Sequence, residues 1–213
     1  MKNAGGKLIL LGLLAIPAIW VILWKVSTFE SNPLPIVRQL SDSVYLSKSP
    51  LQTSYGDTYS FKSKPTNITI VSFFSTSCKD KCPVVCGHVK ILSQKLVNSI
   101  DIKFLSISLD PLADSLAKLK QFATAYEVDS SQWTLVTGDQ DELHNIAINA
   151  FDVPEKMAIE DGSVAHSTTL YLLDKNGQIR GTYNGLRIEE VLEMETDARY
   201  LLRNSRLEEA NEN

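Results

Sequence analysis

The chain has 213 residues, 44% of them hydrophobic, which allows one domain of ordinary size with appendages and a real apolar core. Its 21 Lys and Arg are scattered among 25 Asp and Glu, for a net charge of -4. That balance excludes nucleic acid as a partner, because binding it takes a basic stripe that displaces counterions from phosphate.

The first element is an apolar run, Leu8 to Trp24, with Lys2 and Lys7 before it and Lys25 after. Its 17 residues, broken only by Gly12 and Pro17, are the short end of a membrane-spanning length. A cleaved signal peptide competes through the small-residue stretch Ala15-Ile16-Pro17-Ala18. The run continues past that point, however, and Trp24 at its far end suits a membrane interface. Residues 1–26 are therefore expected to be a retained N-terminal transmembrane helix. Positive charge on its N-terminal side puts the N-terminus in the cytoplasm and the rest of the chain across the membrane. With no long Arg- and Ser-rich presequence, a bacterial inner membrane is favoured, with the domain in the periplasm, where thiols meet oxidising conditions.

Residues 27–50, with Asn32-Pro33-Leu34-Pro35, carry no sustained period and read as a stiff juxtamembrane linker. The globular domain is expected over 51–205, followed by a solvated acidic tail, 206–213. Within the domain, Ile68 to Phe74 reads as a buried strand, Pro83 to Ile100 as a helix and Ile102 to Ser108 as a strand, which makes a βαβ unit with a partly parallel sheet. A helix follows from about Asp114 to Tyr126, with Leu116, Leu119, Phe122 and Ala123 on one face and Asp114 as its cap. Trp133 to Val136 is a short strand. Asp139 caps a helix to Phe151 whose Leu143, Ile146, Ala147 and Ala150 point inward. Thr168 to Leu173 and Gln178 to Tyr183 flank the Asn176-Gly177 turn of an antiparallel hairpin. The last helix begins near Arg187.

All three cysteines, Cys78, Cys82 and Cys86, lie directly after the first strand of the βαβ unit, at the start of its helix. The dipole of a helix N-terminus stabilises thiolate over thiol, so this is a reactive position. A βαβ unit followed by a ββα unit, with cysteines at this point, is the plan of a thioredoxin-like fold: a central mixed sheet flanked by helices. Redox members of that class usually carry C-x-x-C. Here three residues separate Cys78 from Cys82, and such a loop can hold both sulfurs on one side of a soft metal, Cu(I) or Zn(II). A third ligand must then come from elsewhere. His88 and His144 read as solvated or capping side chains, whereas His166 precedes the strand that neighbours the cysteine strand in a thioredoxin-like arrangement. Cys86, one helical turn after Cys82, reads as a small buried hydrophobe beside Val85 and Val89. Its alternative is a third sulfur that pairs with Cys82 or replaces His166 on a metal.

In these residues the chain resembles the SCO/SenC proteins, membrane-tethered copper chaperones for assembly of cytochrome c oxidase. Ser77-Cys78-Lys79-Asp80-Lys81-Cys82-Pro83 is similar to the family's C-P-x-x-C-P loop, and the segment from Ser106 through Asp110-Pro111 to Asp114-Ser115 to its S-x-D-P-x-x-D-T segment. Thr137-Gly138, Ala165-His166-Ser167 and Tyr171 to Asp174 with Gly177 follow the same order. The resemblance implies that Cys78, Cys82 and His166 are copper ligands, for Cu(I) and also Cu(II). Two thiolates and a neutral imidazole do make an anionic trigonal site suited to Cu(I). It implies as partners the copper-site subunit of cytochrome c oxidase, together with a further copper chaperone or a thiol reductant. Lys79, Lys81 and Ala165 depart from the family pattern, making the loop more cationic and lowering the thiol pKa values for redox exchange. The rival reading is a thiol-disulfide oxidoreductase that reduces the cysteines of a partner's copper site, needing Cys78 and Cys82 but not His166. A structural disulfide and a bare scaffold with a vestigial site are the bland alternatives.

Overall fold

In the computed structural model the described residues are 20, 34–40, 49–60, 66–154 and 167–211. In chain order they form β1 (Arg38–Gln39), β2 (Leu51–Thr53), β3 (Thr58–Tyr59), β4 (Ile68–Phe74), α1 (Lys81–Lys95), β5 (Ile102–Ser108), α2 (Leu116–Ala125), β6 (Trp133–Thr137), α3 (Gln140–Asn145, widening into a π turn over Ile146–Ala150), β7 (Thr169–Leu173), β8 (Gln178–Asn184) and α4 (Ile188–Asn211). The strands join in one sheet of order β1-β8-β7-β4-β5-β6-β2-β3. β4, β5 and β6 run parallel, and β7 pairs antiparallel with β4. This is the mixed sheet flanked by helices that the thioredoxin-like reading expects.

Strand alternation sorts the core into two layers. Ile68, Ile70 and Phe74 of β4 point to one face, where Val85, Val89 and Leu92 of α1, Leu119 of α2, and Val191, Met194 and Ala198 of α4 cover them. Val71 and Phe73 point to the other, under Leu143, Ile146, Ala147 and Ala150 of α3 and its π turn. On the first face a polar seam crosses the sheet: Ser72 and Ser106 hydroxyls are 2.7 Å apart, and Trp133 Nε1 donates to Ser106 Oγ at 2.9 Å. Buried hydroxyls and an indole N–H are tolerated there because each has a partner.

β4 and β5 have the expected bounds. The helices differ at their ends, for identifiable reasons. α1 begins at Lys81, so Pro83 lies in its first turn, where a missing N–H costs nothing. It stops at Lys95 rather than Ile100: beyond it the Leu96 carbonyl accepts from Ser99 N–H in a tight turn and from the buried Gln132 side chain, both at 2.8 Å, so it is satisfied without a further α-helical turn. α2 is capped by Ser115, whose hydroxyl accepts from Lys118 N–H; Asp114, the expected cap, is turned into the protein. Asp139 does cap α3, accepting from the N–H groups of Asp141 and Glu142. In the β7–β8 turn Gly177 has φ +75°, a conformation that favours glycine.

Within the stretch expected as a linker, Arg38–Gln39 add an edge strand to β8. Residues 206–211, expected as tail, are the end of α4. The expected transmembrane helix, 1–26, lies outside the described residues except for Trp20. Among the described residues no helix is long and apolar enough to cross a membrane.

Candidate metal centre

β4 delivers the chain to the cysteines, and hydrogen bonds fasten that hand-over to β5. Leu109 N–H donates to the Phe74 carbonyl at 2.9 Å, holding the two strand ends together. Beyond Phe74 the chain turns, with Cys78 N–H on the Ser75 carbonyl at 3.3 Å and Ser77 N–H on Ser75 Oγ at 3.1 Å. Asp114 clamps this turn from the β5–α2 loop. Its Oδ1 accepts from Thr76 N–H at 3.0 Å and from the Thr76 hydroxyl, and its Oδ2 accepts from Ser108 Oγ at 2.6 Å. Burial raises the Asp114 pKa despite those three donors. Asp110 braces the same loop, accepting from Ala113 N–H at 3.2 Å and from Ser75 Oγ at 3.5 Å. Asp114 is the residue whose part in the site was missed from sequence. A short polar side chain before a helix signals a cap, and only the approach of Thr76 redirects it.

The sulfurs are unequal. Cys78 is half-buried, whereas Cys82 and Cys86 are buried, and all three are free thiols. Burial tends to raise the Cys78 pKa, but the Cys82 thiol and the N–H groups of Cys82, Asp80 and Lys81 hydrogen-bond its sulfur and together lower it. Cys82 N–H lies 3.3 Å from Cys78 Sγ. The acidity therefore comes from N–H groups at the start of α1, as the helix-terminus reading expects, and from a neighbouring thiol; the Lys79 and Lys81 charges, also expected to contribute, are not among its causes. Cys82 is shifted up, by burial first and then by donating to Cys78. Cys86 is pushed up to about 12, by burial and then by the Cys78 charge. Limited alkylation of the reduced protein with iodoacetamide at neutral pH, mapped by peptide mass spectrometry, is expected to modify Cys78 well before Cys82 and Cys86. Equal labelling of the three would overturn this ranking.

Cys86 packs in the core with Val85 and Val89, in agreement with its bland reading. Two cysteines at i and i+4 within a regular helix have Cβ atoms about 5–6 Å apart, beyond the roughly 3.5–4.5 Å of a disulfide, so Cys82 and Cys86 do not pair without unwinding α1. Among the described residues no three His, Cys, Asp or Glu converge on one ion site. Cys86 thus stands apart from Cys78 and Cys82 as a ligand.

Neither of the described histidines is simply solvated. His88 Nδ1 lies 2.7 Å from the Gly185 carbonyl and so carries the hydrogen, while His144 Nε2 lies 3.4 Å from the Leu109 carbonyl. The His88 bond matters to the site. Gly185 N–H in turn donates to the Thr168 carbonyl at 2.6 Å, and a Cβ on Gly185 would lie 2.9 Å from that oxygen. α1 is thereby tied to the residue just before β7. His166 and Ala165 lie outside the described residues. Ser167, which follows them, is buried, and β7 runs antiparallel to β4 with Val71 opposite Tyr171 and Thr69 opposite Leu173. The beginning of β7 is consequently at the sheet end where β4 leads to Cys78.

Comparison with known proteins agrees with this fold. The family model described as SCO1/SenC matches residues 48–199. The SCO1 protein homolog of Bacillus subtilis is 29% identical over 153 residues, covering 70% of this chain and 79% of that protein. Among solved structures, a SCO1/SenC family lipoprotein from Bacillus anthracis superposes with a TM-score of 0.65 at 24% identity, over 78% of this chain and 96% of its own. BsSco, a member of the Sco family of cytochrome c oxidase assembly proteins described as having a disulfide switch, gives 0.58 at 26% identity over 76% and 96%. ScoI of Bradyrhizobium japonicum, solved with copper bound, gives 0.54 at 23% over 72% and 96%. With a family model spanning strands β2 to β8, the cysteine loop and the first half of α4, the chain belongs to the SCO1/SenC family.

Proposed function

We propose that this protein is a copper-binding assembly factor for cytochrome c oxidase, holding its copper cargo through Cys78, Cys82 and His166. The observation that carries the reading is the donor pair at the start of α1: an acidic, half-exposed Cys78 thiol hydrogen-bonded to Cys82. Soft sulfur donors in a pair suit Cu(I), and a site open at one side suits cargo that must leave by ligand exchange. The antiparallel register of β4 and β7 supports His166 as third ligand, since the residue after it starts at the cysteine end of the sheet. The copper-bound state of the Bradyrhizobium japonicum relative and the assembly role of BsSco point the same way. The partner would be the copper-site subunit of the oxidase. The N-terminal apolar run would anchor the domain on the outer side of a bacterial inner membrane.

The test is Cu(I) binding by the reduced protein, followed by metal analysis after desalting. About one equivalent is expected, with loss on Cys78→Ser or Cys82→Ser and weakening on His166→Ala. Retention of copper by Cys78→Ser would remove the reading.

The inequality of the thiols supports a second reading, thiol-disulfide exchange with a partner's copper-site cysteines. An acidic, accessible Cys78 is equipped to attack a disulfide, and the buried Cys82 beside it to resolve the mixed disulfide. Reduction of a model disulfide by His166→Ala at the wild-type rate would favour it, because that chemistry does not use the imidazole.

A further inference from the structure

The cysteine loop occupies one end of the sheet, and the opposite end carries features that copper binding leaves unused. In the turn between α1 and β5, Val97 is 54% exposed and Ile100 71%, and Leu207 near the end of α4 is 57% exposed. They adjoin a shallow depression lined by Ser99, Arg199, Leu202, Arg203, Arg206 and Leu207. At helical spacing the three arginines share one side of α4 with Leu207 beside them, and Glu208 projects from the other side. Arg199 is matched by Glu195 and Arg206 by Asp101. Arg203 lies over the Tyr200 ring at 5.8 Å and has no acidic partner among the described residues.

The first residue of the described unit is held beside the β7–β8 turn, near this same end, and β1 then runs along β8 toward that turn. The unit begins at Leu34, whose carbonyl accepts from Arg180, and Arg180 pairs with Asp174 of the β7–β8 turn at 2.9 Å. The next residue, Lys175, pairs with Glu209 of α4 at 2.6 Å, one turn past the arginines. Leu173, just before that turn, is opposite Thr69 at the start of β4, and Ile68 N–H donates to the carbonyl of Asp101, beside Ile100. Seven residues of β4 separate this end from the cysteine end, about 20 Å.

We propose that this end of the domain rests on an anionic lipid surface, with Val97, Ile100 and Leu207 at the headgroup boundary and Arg203 on phosphate. It rests on the reading of residues 1–26 as a membrane anchor. The supporting observations are that 33 residues, including the 17-residue apolar run, precede Leu34 in the sequence, and that the exposed apolar side chains and the unmatched cation lie at the end where Leu34 is held. Exposed aliphatic side chains next to arginine are the combination that an interface of acyl chains and anionic headgroups accommodates. Docked this way, the domain holds the cysteine loop about 20 Å from the lipid and facing aqueous partners.

The test is amide hydrogen exchange of the full-length protein in nanodiscs of phosphatidylcholine alone and in nanodiscs rich in phosphatidylglycerol. Residues 97–101 and 199–207 are expected to exchange more slowly in the anionic discs, with the 110–114 loop unchanged. Arg203→Glu is expected to weaken that protection about five-fold or more, the effect of one basic residue near an anionic surface. Arg203 and Ile100 are surface side chains, so Arg203→Glu and Ile100→Ser should leave thermal unfolding in detergent and Cu(I) stoichiometry as in wild type. Equal exchange in the two lipids, or protection of the cysteine loop instead, would overturn the proposal and leave a protein partner as occupant of the patch. Failure of the chain to enter either disc would remove the anchor and the proposal with it, while leaving the copper reading intact.

Discussion

Replacing Asp114 by alanine is expected to destabilise the fold by roughly 3 kcal/mol and to free the cysteine loop. The carboxylate is fully buried and receives Thr76 N–H, the Thr76 hydroxyl and the Ser108 hydroxyl. Hydroxyls can turn toward other acceptors, but a buried backbone N–H left without one costs about 1–3 kcal/mol by itself, and the vacated volume adds to that. Chemical denaturation measures the stability, and backbone exchange at 75–78 the loosening. Asp114→Asn should retain most of the stability, because one oxygen still accepts from Thr76 and the amide donates to Ser108.

Wild type and Asp114→Asn also differ in pH dependence. Burial holds the Asp114 pKa above its unfolded value. A carboxyl of that kind contributes stability that is fully present below the unfolded pKa and lost as pH rises through the folded one. Wild type should therefore gain on Asp114→Asn as pH falls from neutral into the carboxylate range. A stability difference that stays flat or narrows on acidification would show that the hydrogen bonds outweigh burial.

Phe73→Ala is expected to cost about 4 kcal/mol, the usual range for a large aromatic side chain removed from a core. Phe73 belongs to an aromatic trio: its ring lies 5.2 Å from Phe151 and 6.0 Å from Tyr171, and those two are 5.0 Å apart, all three edge-on. The trio joins the cysteine strand β4, the end of the π turn after α3, and β7. Phe151 and β7 flank the stretch that contains His166, so the variant should weaken Cu(I) affinity as well as stability. Phe104→Ala, in the opposite layer, provides the contrast, with a comparable loss of stability and copper affinity retained. Equal effects of the two substitutions on copper would separate the trio from the site.

Much of the frame was legible in the chain because its signals are local. β4 and β5 are short apolar runs bounded by turn residues, the pattern of strands buried on both faces of a sheet. Asp139 before an amphipathic stretch is a cap, and Asn176-Gly177 is a hairpin turn, wherever the rest of the chain goes. The grouping of Cys78 and Cys82 at a strand-to-helix junction likewise needs no tertiary information, and it carried the chemistry.

What tertiary structure alone decided comes from residues distant in sequence. Asp114 and Ser115 are both good caps by type, and Thr76, 38 residues before Asp114, claims the aspartate. The helix after the cysteines ends where Gln132 reaches its carbonyl from 36 residues away. Arg38–Gln39 become strand because β8 offers an unpaired edge, which no local pattern announces. The inequality of the sulfurs belongs here too. Spacing makes Cys78 and Cys82 equivalent donors, but only the packed fold buries one against the core and turns the N–H groups of α1 toward the other. Local sequence sets which groups are present and on which element. The free energy of each one's protonation and pairing depends on what the fold brings against it.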